Sequence, residues 1–286
     1  MLNKAGNIQT FLGMGASYQE ADIALFGAPY DGTTSNRPGT RFGPAAMRAE
    51  SHHGMEAYSP YLDKDLNNNS RVYDAGELDL PRGWPEPALA IIENAVTEII
   101  KDEKMPFMTG GEHLITLGAV RAIAKKIPDL HIIHLDAHAD LCDDFFGETL
   151  SHATVMRRCY DILGDGRIFQ FGIRSGRKAE FDWAKGRVFQ QKFHISGLSE
   201  IAKKLRGVPV YFSLDLDVLD PAVFPGTGTP EAGGISFMDL HAGLLCLQGM
   251  NVIGCDIVEL APNLDISGVS TATACKVLRE LILICK

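Results

Sequence analysis

Short apolar runs alternate with segments of helical periodicity along most of the chain. Runs rich in Ile, Leu, Val and Phe that end in polar or turn-forming residues are typical of buried strands. Apolar positions spaced three and four residues apart are typical of amphipathic helices. Strands are predicted over residues 22–31, 71–73, 105–109, 130–140, 167–173, 187–190, 208–217 and 252–259. Helices are predicted over residues 45–50, 85–104, 112–127, 198–206, 236–247 and 270–285, with one more starting at an N-cap, Ser151.

The alternation of strands and helices predicts the fold class. Strands that alternate with helices form a mostly parallel sheet that is covered by helices on both faces. The α/β chain is therefore expected to form a three-layer α-β-α sandwich. No internal repeat, low-complexity tract or linker interrupts the pattern, so one domain is expected over residues 1–286.

Composition and charge exclude several classes of protein. No segment approaches the ~18 uncharged apolar residues of a transmembrane helix, and the start lacks the features of a signal peptide, so a cytoplasmic protein is expected. The net charge of -9 argues against nucleic acid or an anionic membrane as a partner and weakly favours cationic ligands. The six cysteines form no CxxC pair and are interpreted as buried thiols.

Carboxylates and imidazoles follow the predicted strands at their carboxyl ends, where ligands bind in open α/β sheets. Asp136, His138 and Asp140 follow one apolar run, and Asp215 and Asp217 follow another. In an extended chain, side chains at i, i+2 and i+4 share one face. The spacing therefore predicts that each of the two sets points in one direction.

Two further strand ends carry polar residues, His113 and Glu259, and adjacent strands would bring all of these groups together. A cluster of four buried aspartates without positive charge would be very unfavourable. Two divalent cations would balance the four carboxylates and leave two imidazoles as neutral ligands. Carboxylate and imidazole ligands without thiolate favour Mn²⁺, with Fe, Co or Zn as competitors.

Three motifs together resemble the metal motifs of the ureohydrolase family, which includes arginases, agmatinases and formiminoglutamases. They are Gly-Gly-Glu-His at 110–113, Asp-Ala-His-Ala-Asp at 136–140, and Ser-Leu-Asp-Leu-Asp-Val-Leu-Asp-Pro at 213–221, which is followed by Pro-Gly-Thr-Gly-Thr-Pro-Glu at 225–231. The resemblance covers nearly the whole chain and is greatest to bacterial-type agmatinases. It implies an arginase-like fold and a homotrimer or homohexamer.

The resemblance also implies how two Mn²⁺ ions per subunit are bound. One ion would be held by His113, Asp136, Asp140 and Asp215. The other would be held by Asp136, His138, Asp215 and Asp217. In this arrangement Asp136 and Asp215 bridge the two ions.

The reaction implied by the resemblance is hydrolysis of a guanidino C–N bond by a metal-bridging hydroxide. Asp140 would accept a hydrogen bond from that hydroxide and carry a proton towards the leaving amine. Glu259 resembles the family's guanidinium anchor, and His152 resembles the histidine that relays protons or contacts substrate. His131 and His134 are expected to be core residues.

The expected substrate is a small cationic guanidino compound, with agmatine favoured. Arginases hold the α-carboxylate of arginine with residues that Leu141, Cys142 and Leu150 do not provide. Agmatine would give putrescine and urea, in polyamine biosynthesis. The candidate acceptors for its far ammonium are Glu180, Asp182, Asp143 and Asp144. Guanidinobutyrate would instead need a cation, such as Arg37 or Arg41.

Other functions remain open at this point. Aminopropylagmatine, arginine and a formimino substrate are alternatives within the same chemistry. A non-catalytic regulatory relative belongs to a different class, although all six ligand residues are present. A one-zinc deacetylase would share the general fold, but His113 and Asp217 argue for two metals.

Overall fold

Eight parallel strands form one sheet in the computed structural model, which describes residues 10–285. The order across the sheet is β2-β1-β3-β8-β7-β4-β5-β6, and each neighbouring pair is parallel. The strands are β1 (Ile23–Ala28), β2 (Val72–Glu77), β3 (Met105–Gly110), β4 (His131–Leu135), β5 (Ile168–Ile173), β6 (Phe189–Lys192), β7 (Pro209–Asp215) and β8 (Asn251–Val258).

Helices cover both faces of the sheet, so the three-layer prediction is confirmed. One layer contains α2, α3, α4 and α5, and the other contains α1, α6, α7 and α8. The helices are α1 (Gly43–Gly54), α2 (Pro85–Lys101), α3 (Thr116–Lys126), α4 (Val155–Leu163), α5 (Lys178–Ala184), α6 (Leu198–Lys204), α7 (Phe237–Leu245) and α8 (Val269–Ile284). In the described part of the chain, no helix has the length and apolarity that a membrane span requires.

Each face of the sheet packs its own hydrophobic core, because side chains of a strand alternate between the faces. In β4, Ile132 belongs to the core beneath α2 and α3, whereas Ile133 and Leu135 belong to the core beneath α1 and α8. All three are completely buried. This burial on both faces explains why the strand has an almost continuous apolar sequence.

Several boundaries and small elements differ from the sequence-based expectation. Helix α2 ends at Lys101 because the following residues form a turn into β3, with Glu103 in the left-handed region at φ 57°. The polar segment 174–186, for which no element was predicted, contains α5. A small hairpin (Tyr58–Ser59 with Lys64–Asp65), a one-turn helix (Leu66–Asn69) and short 3₁₀ helices (Phe11–Gly13, Thr40–Phe42, His113–Ile115, His152–Thr154, Leu216–Val218, Pro262–Leu264) were not predicted.

A buried ion pair joins α1 to β2 at one side of the fold. Arg48 Nη2 lies 2.9 Å from Asp74 Oδ1, and its Nη1 lies 3.2 Å from Glu77 Oε1. The Arg48 side chain is only 6% exposed and that of Asp74 is fully buried. Removing one partner would leave the other charge buried without compensation.

We expect Arg48→Met to lower the free energy of unfolding by about 3–5 kcal/mol, because Asp74 would lose its positive partner. Urea unfolding followed by circular dichroism measures the change. Arg71→Met is the matched control, since Arg71 pairs with Asp22 at 2.5 Å but its side chain is 63% exposed. Equal losses in the free energy of unfolding for the two variants would contradict a stabilising role of the buried Arg48–Asp74 pair.

Candidate functional site

The candidate site lies at the carboxyl ends of four strands that are neighbours in the sheet, β3, β8, β7 and β4. The strands end at nearly the same level, since Val258 of β8 is paired with Asp215 of β7, and Leu135 of β4 is paired with Leu214 of β7. Residues that follow these strands are therefore brought together across the sheet edge. This adjacency is the arrangement that the sequence analysis required.

The backbone of the aspartate motifs is not extended, contrary to the prediction. Strand β4 ends at Leu135, and Asp140 has a left-handed backbone with φ 53°. Asp217 lies in a 3₁₀ turn, whose first amide groups are capped because Asp215 Oδ1 accepts a hydrogen bond from Asp217 N at 2.8 Å. Turns rather than strand pleats therefore direct the carboxylates towards one another.

Three aspartates surround one nitrogen of His113. Its Nδ1 atom lies 3.1 Å from Asp136 Oδ2, 3.1 Å from Asp215 Oδ2 and 3.5 Å from Asp140 Oδ2. All four residues are buried. A ring nitrogen carries at most one proton, so it cannot satisfy three carboxylate oxygens. The group has the ligand types and the uncompensated negative charge of a divalent-cation site.

A second group surrounds His138, next to the first. His138 Nδ1 lies 3.0 Å from Asp217 Oδ2 and 3.5 Å from Asp136 Oδ1. Asp136 thus presents one carboxylate oxygen to each group. Among residues 10–285, Asp217 Oδ2 has no partner with hydrogen-bond geometry, although its atom is buried. Ligand atoms of Asp136, His138 and Asp217 lie within 4.8 Å of one another, which suits a bound ion.

Hydrogen bonds behind His113 fix which of its nitrogens carries the proton. Its Nε2 atom lies 2.9 Å from Ser213 Oγ, and that hydroxyl donates to Asp256 Oδ1 at 2.8 Å. Asp256 Oδ2 accepts further hydrogen bonds from Tyr211 and Thr116, each at 2.7 Å. Because the serine proton is used by Asp256, the serine oxygen accepts from His113 Nε2–H. The Nδ1 lone pair is then available to a cation, which is the usual arrangement behind a metal-binding histidine.

His134 contacts the same cluster, although its neighbours make it a donor and not a ligand. Its Nδ1 atom lies 2.9 Å from the Gln170 amide nitrogen, which also donates to Ala139 O at 2.7 Å. His134 Nε2 must then carry the proton, and it donates to Asp136 Oδ2 at 2.9 Å. The prediction that His134 is a core residue is confirmed, because the side chain is completely buried. It missed that this histidine orients Asp136.

The titration behaviour of the cluster agrees with a missing positive charge. Burial and the negative charge of neighbouring aspartates raise the pKa of both Asp140 and Asp215 well above the usual range. Burial acts in the same direction on Asp136, yet nearby histidines, His134 first, hold the pKa of Asp136 well below its usual range. Divalent cations would favour the ionised form of all these carboxylates.

Glu259 lies directly after β8, beside the first group. Its Oε1 atom accepts a hydrogen bond from His113 N at 2.7 Å, and its backbone is left-handed with φ 67°. A non-glycine residue in this region is strained, by about 1–3 kcal/mol. Burial, together with the charge of Glu112, raises the pKa of Glu259 to about 8. The strained turn directs this carboxylate to the cluster.

His152 lies at the opposite wall, at the start of the helix that Ser151 caps, as predicted. Its Nδ1 atom donates to Thr33 O at 2.9 Å, and its Nε2 atom lies 3.1 Å from Ser35 Oγ. Burial lowers the pKa of His152 to about 4. The imidazole is therefore neutral at physiological pH, and its Nε2 lone pair accepts from the Ser35 hydroxyl at the cavity wall.

A cavity of about 250 Å³ lies between His152 and the aspartate cluster. Glu180 and Arg177 also line the cavity, and the Arg177 guanidinium lies over the Phe145 ring at 5.1 Å. Glu180 is buried, and its two oxygens accept from Leu141 N at 2.9 Å and Arg177 N at 2.7 Å. The Cys142 thiol makes a third hydrogen bond to this carboxylate, which leaves acceptor capacity for one further donor.

The other predicted distal residues are engaged elsewhere. Asp182 pairs with Lys178 and Lys185, Asp143 pairs with Arg157 and Arg158, and Asp144 accepts from Gly147 N. Arg37 donates to backbone carbonyl groups, and Arg41 pairs with Asp31. None of these five predicted residues lines the cavity.

One further residue near the site was not identified from the sequence. Arg174 follows β5, and its Nη2 atom donates to Asp217 O at 2.7 Å and to Glu231 O at 2.8 Å. Its Nη1 atom donates to Val218 O at 3.1 Å. Arg174 thus holds the turn that directs the Asp217 carboxylate.

Comparison with known proteins gives matches over nearly the whole chain. A profile described as the arginase family matches residues 21–284. The agmatinase of Bacillus subtilis is 46% identical over 283 residues, which cover 96% of this chain and 96% of the relative. A crystal structure of a candidate agmatinase from Clostridium difficile is 46% identical, with a TM-score of 0.91, covering 94% of this chain and 98% of that one. The guanidinobutyrase of Pseudomonas aeruginosa is 37% identical over 279 residues, covering 93% of this chain and 87% of the relative.

Proposed function

The chain belongs to the arginase family, and we propose that it hydrolyses agmatine to putrescine and urea. Membership makes it a hydrolase of guanidino C–N bonds. The observation that carries the proposal is the buried group of carboxylates and imidazoles beside a cavity that a small guanidino compound could fill. Its similarity to agmatinases at 46% identity supports agmatine as the substrate.

The proposed centre holds two divalent ions, and Mn²⁺ is preferred because the ligands are carboxylate and imidazole. His113 Nδ1 and the carboxylates around it would hold one ion, and His138 Nδ1 with Asp217 would hold the other, with Asp136 facing both. When bound, the ions supply a water molecule whose pKa is lowered towards neutrality, as the nucleophile for the guanidino carbon.

The chain's own residues would perform the remaining steps. Glu259 accepts hydrogen bonds from the substrate guanidinium and holds its plane towards the cluster. Asp140 orients the attacking water and moves a proton towards the leaving amine. His152 Nε2 accepts a hydrogen bond at the cavity wall and relays protons there.

The far end of the substrate would meet Glu180. A buried carboxylate with spare acceptor capacity suits the ammonium group of agmatine. A second candidate, hydrolysis of a guanidino acid such as guanidinobutyrate, is favoured by a different observation, since Arg177 also lines the cavity. Its guanidinium would bind a carboxylate.

A parallel assay of urea release separates these two functions. We expect Mn²⁺-loaded protein to hydrolyse agmatine with a kcat/KM at least about tenfold above that for arginine, guanidinobutyrate or aminopropylagmatine.

Glu180→Gln is expected to lower kcat/KM for agmatine about tenfold or more, because a charge-assisted hydrogen bond is lost. Arg177→Met is the paired variant and should affect guanidinobutyrate more than agmatine.

A preference for guanidinobutyrate, with the larger loss in Arg177→Met, would show that the substrate is a guanidino acid. The proposed hydrolysis of a guanidino C–N bond would be unchanged. Urea from none of the four compounds would contradict the proposed activity and direct attention to formimino substrates or to a regulatory role.

We further propose a single cytoplasmic domain over residues 1–286, assembled as a homotrimer or homohexamer, that acts in polyamine biosynthesis.

A further inference from the structure

The carboxylate of Glu112 is completely buried and has no role in the proposed reaction. It is bound by the loop that follows β1. Thr33 N donates to Glu112 Oε2 at 2.9 Å, the Thr33 hydroxyl donates to Oε1, and the Thr34 hydroxyl donates to Oε2 at 3.1 Å. Three hydrogen bonds to one buried carboxyl group hold this loop against Glu112.

The same threonine binds His152 on its other side. His152 N donates to Thr33 Oγ1 at 3.1 Å, and His152 Nδ1 lies 2.9 Å from Thr33 O. A hydroxyl group has one proton, and Glu112 Oε1 receives it. The Thr33 oxygen accepts from His152 N, and the Thr33 carbonyl accepts from His152 Nδ1–H, which sets the tautomer. Glu112 holds the amide and hydroxyl groups of Thr33 and so positions this carbonyl.

The backbone around Glu112 is locked to the same loop. Glu112 N donates to Tyr30 O at 2.8 Å, and Gly111 N donates to Ala28 O at 3.0 Å. A Cβ atom on Gly111 would lie 1.8 Å from Tyr30 O, so only glycine allows this approach. The next residue is His113, whose side chain belongs to the aspartate cluster. The turn at residues 111–113 thus fixes the position of His113 in the aspartate cluster and of the loop that holds His152.

We propose that Glu112 is a positioning residue, which acts through Thr33 to hold His152 in the Nδ1–H tautomer with its Nε2 lone pair facing the cavity. The inference rests on the proposed function only in that His152 contacts the substrate. Glu112 itself touches neither the substrate nor the reacting atoms. Glu112 is not one of the proposed metal ligands, because its carboxylate contacts Thr33 and Thr34, and Thr33 contacts His152 at the cavity wall.

Thr33→Val and Thr34→Val form a matched pair for the test. Each removes one hydroxyl within hydrogen-bond distance of Glu112, and the Thr34 hydroxyl is shared with Asp31 O, also at 3.1 Å. Of the two threonines, only Thr33 contacts His152. In Mn²⁺-loaded protein we expect Thr33→Val to lower kcat about tenfold, with KM changed less than about threefold, because a proton-transfer group loses its orientation. Thr34→Val should stay within about threefold of the native kcat, and Thr33→Ser should restore activity.

A second readout does not depend on turnover. In ¹⁵N-histidine NMR spectra of Zn²⁺-loaded protein, with His152 assigned from the His152→Asn spectrum, native protein should show the neutral Nδ1–H tautomer at pH 7. Thr33→Val and Glu112→Gln should show mixed tautomers, because the amide of Gln presents a donor where Thr33 needs an acceptor. Thr34→Val should match the native spectrum.

An unchanged His152 tautomer in Thr33→Val, or equal effects of the two threonine variants, would overturn the inference. If Glu112→Gln does not fold or loses metal, the comparison of Thr33→Val with Thr34→Val still tests whether Thr33 positions His152. If no guanidino compound yields urea, the proposed function fails, whereas the NMR comparison continues to test the positioning of His152.

Discussion

Asp136→Asn is expected to release metal and lower urea formation by at least about 10³-fold, which corresponds to ~4 kcal/mol of transition-state stabilisation. Asp136 is completely buried, and its two oxygens face the two histidine groups of the cluster. The amide would remove one negative charge that both ions require and would present a donor to His134 Nε2–H or to His138 N. Metal content by plasma mass spectrometry and urea release measure the two effects.

Asp129→Asn is the matched control, because Asp129 lies just before the same strand but its side chain is 65% exposed and pairs with Arg167 at 2.8 Å. This variant should bind metal and release urea as the native protein does. Asp215→Asn should behave like Asp136→Asn. Full activity in either cluster variant would exclude the two-metal mechanism.

Glu259→Gln is expected to lower kcat/KM for agmatine by about 10–10²-fold while metal content stays unchanged. The amide oxygen can still accept from His113 N, so the local backbone contact can be kept. The lost interaction is the ionic hydrogen bond with the substrate guanidinium, and such bonds to charged groups contribute about 1.5–3 kcal/mol or more when buried. Steady-state kinetics over a range of agmatine concentrations separate KM from kcat.

Glu259→Asp provides the comparison that keeps the charge. The shorter side chain should retain more activity than the amide if charge is what binds the guanidinium. Equal activity of the native protein and Glu259→Gln would show that Glu259 is a structural residue of the strand end. Loss of metal in Glu259→Gln would instead assign it to the metal centre.

The main strands, although not their ends, could be predicted because burial on both faces gives them a distinct apolar sequence. This pattern predicted β4 and β7, and with them the neighbourhood of Asp136 and Asp215. Local turn geometry could not be derived in the same way. The left-handed backbone of Asp140 depends on contacts such as Met156 N to Asp140 O at 3.0 Å, which join segments distant in the sequence.

The residues that support the cluster were missed for a related reason. Ser213 contacts His113, and Asp256 on the adjacent strand accepts from Ser213. Both contacts depend on the strand order, which the sequence pattern did not specify. Gln170 is completely buried and orients His134 from the next strand, β5. A polar residue within an apolar strand was the available signal, because buried polar groups need partners.

The most direct test of the proposed activity measures metal content and both products from agmatine in one preparation. The account predicts about two Mn²⁺ ions per chain and equal amounts of urea and putrescine, both lost after chelation and recovered when Mn²⁺ is returned. Urea formation that persists in fully metal-free protein would contradict the mechanism. Agmatine consumed without urea would contradict the assigned reaction.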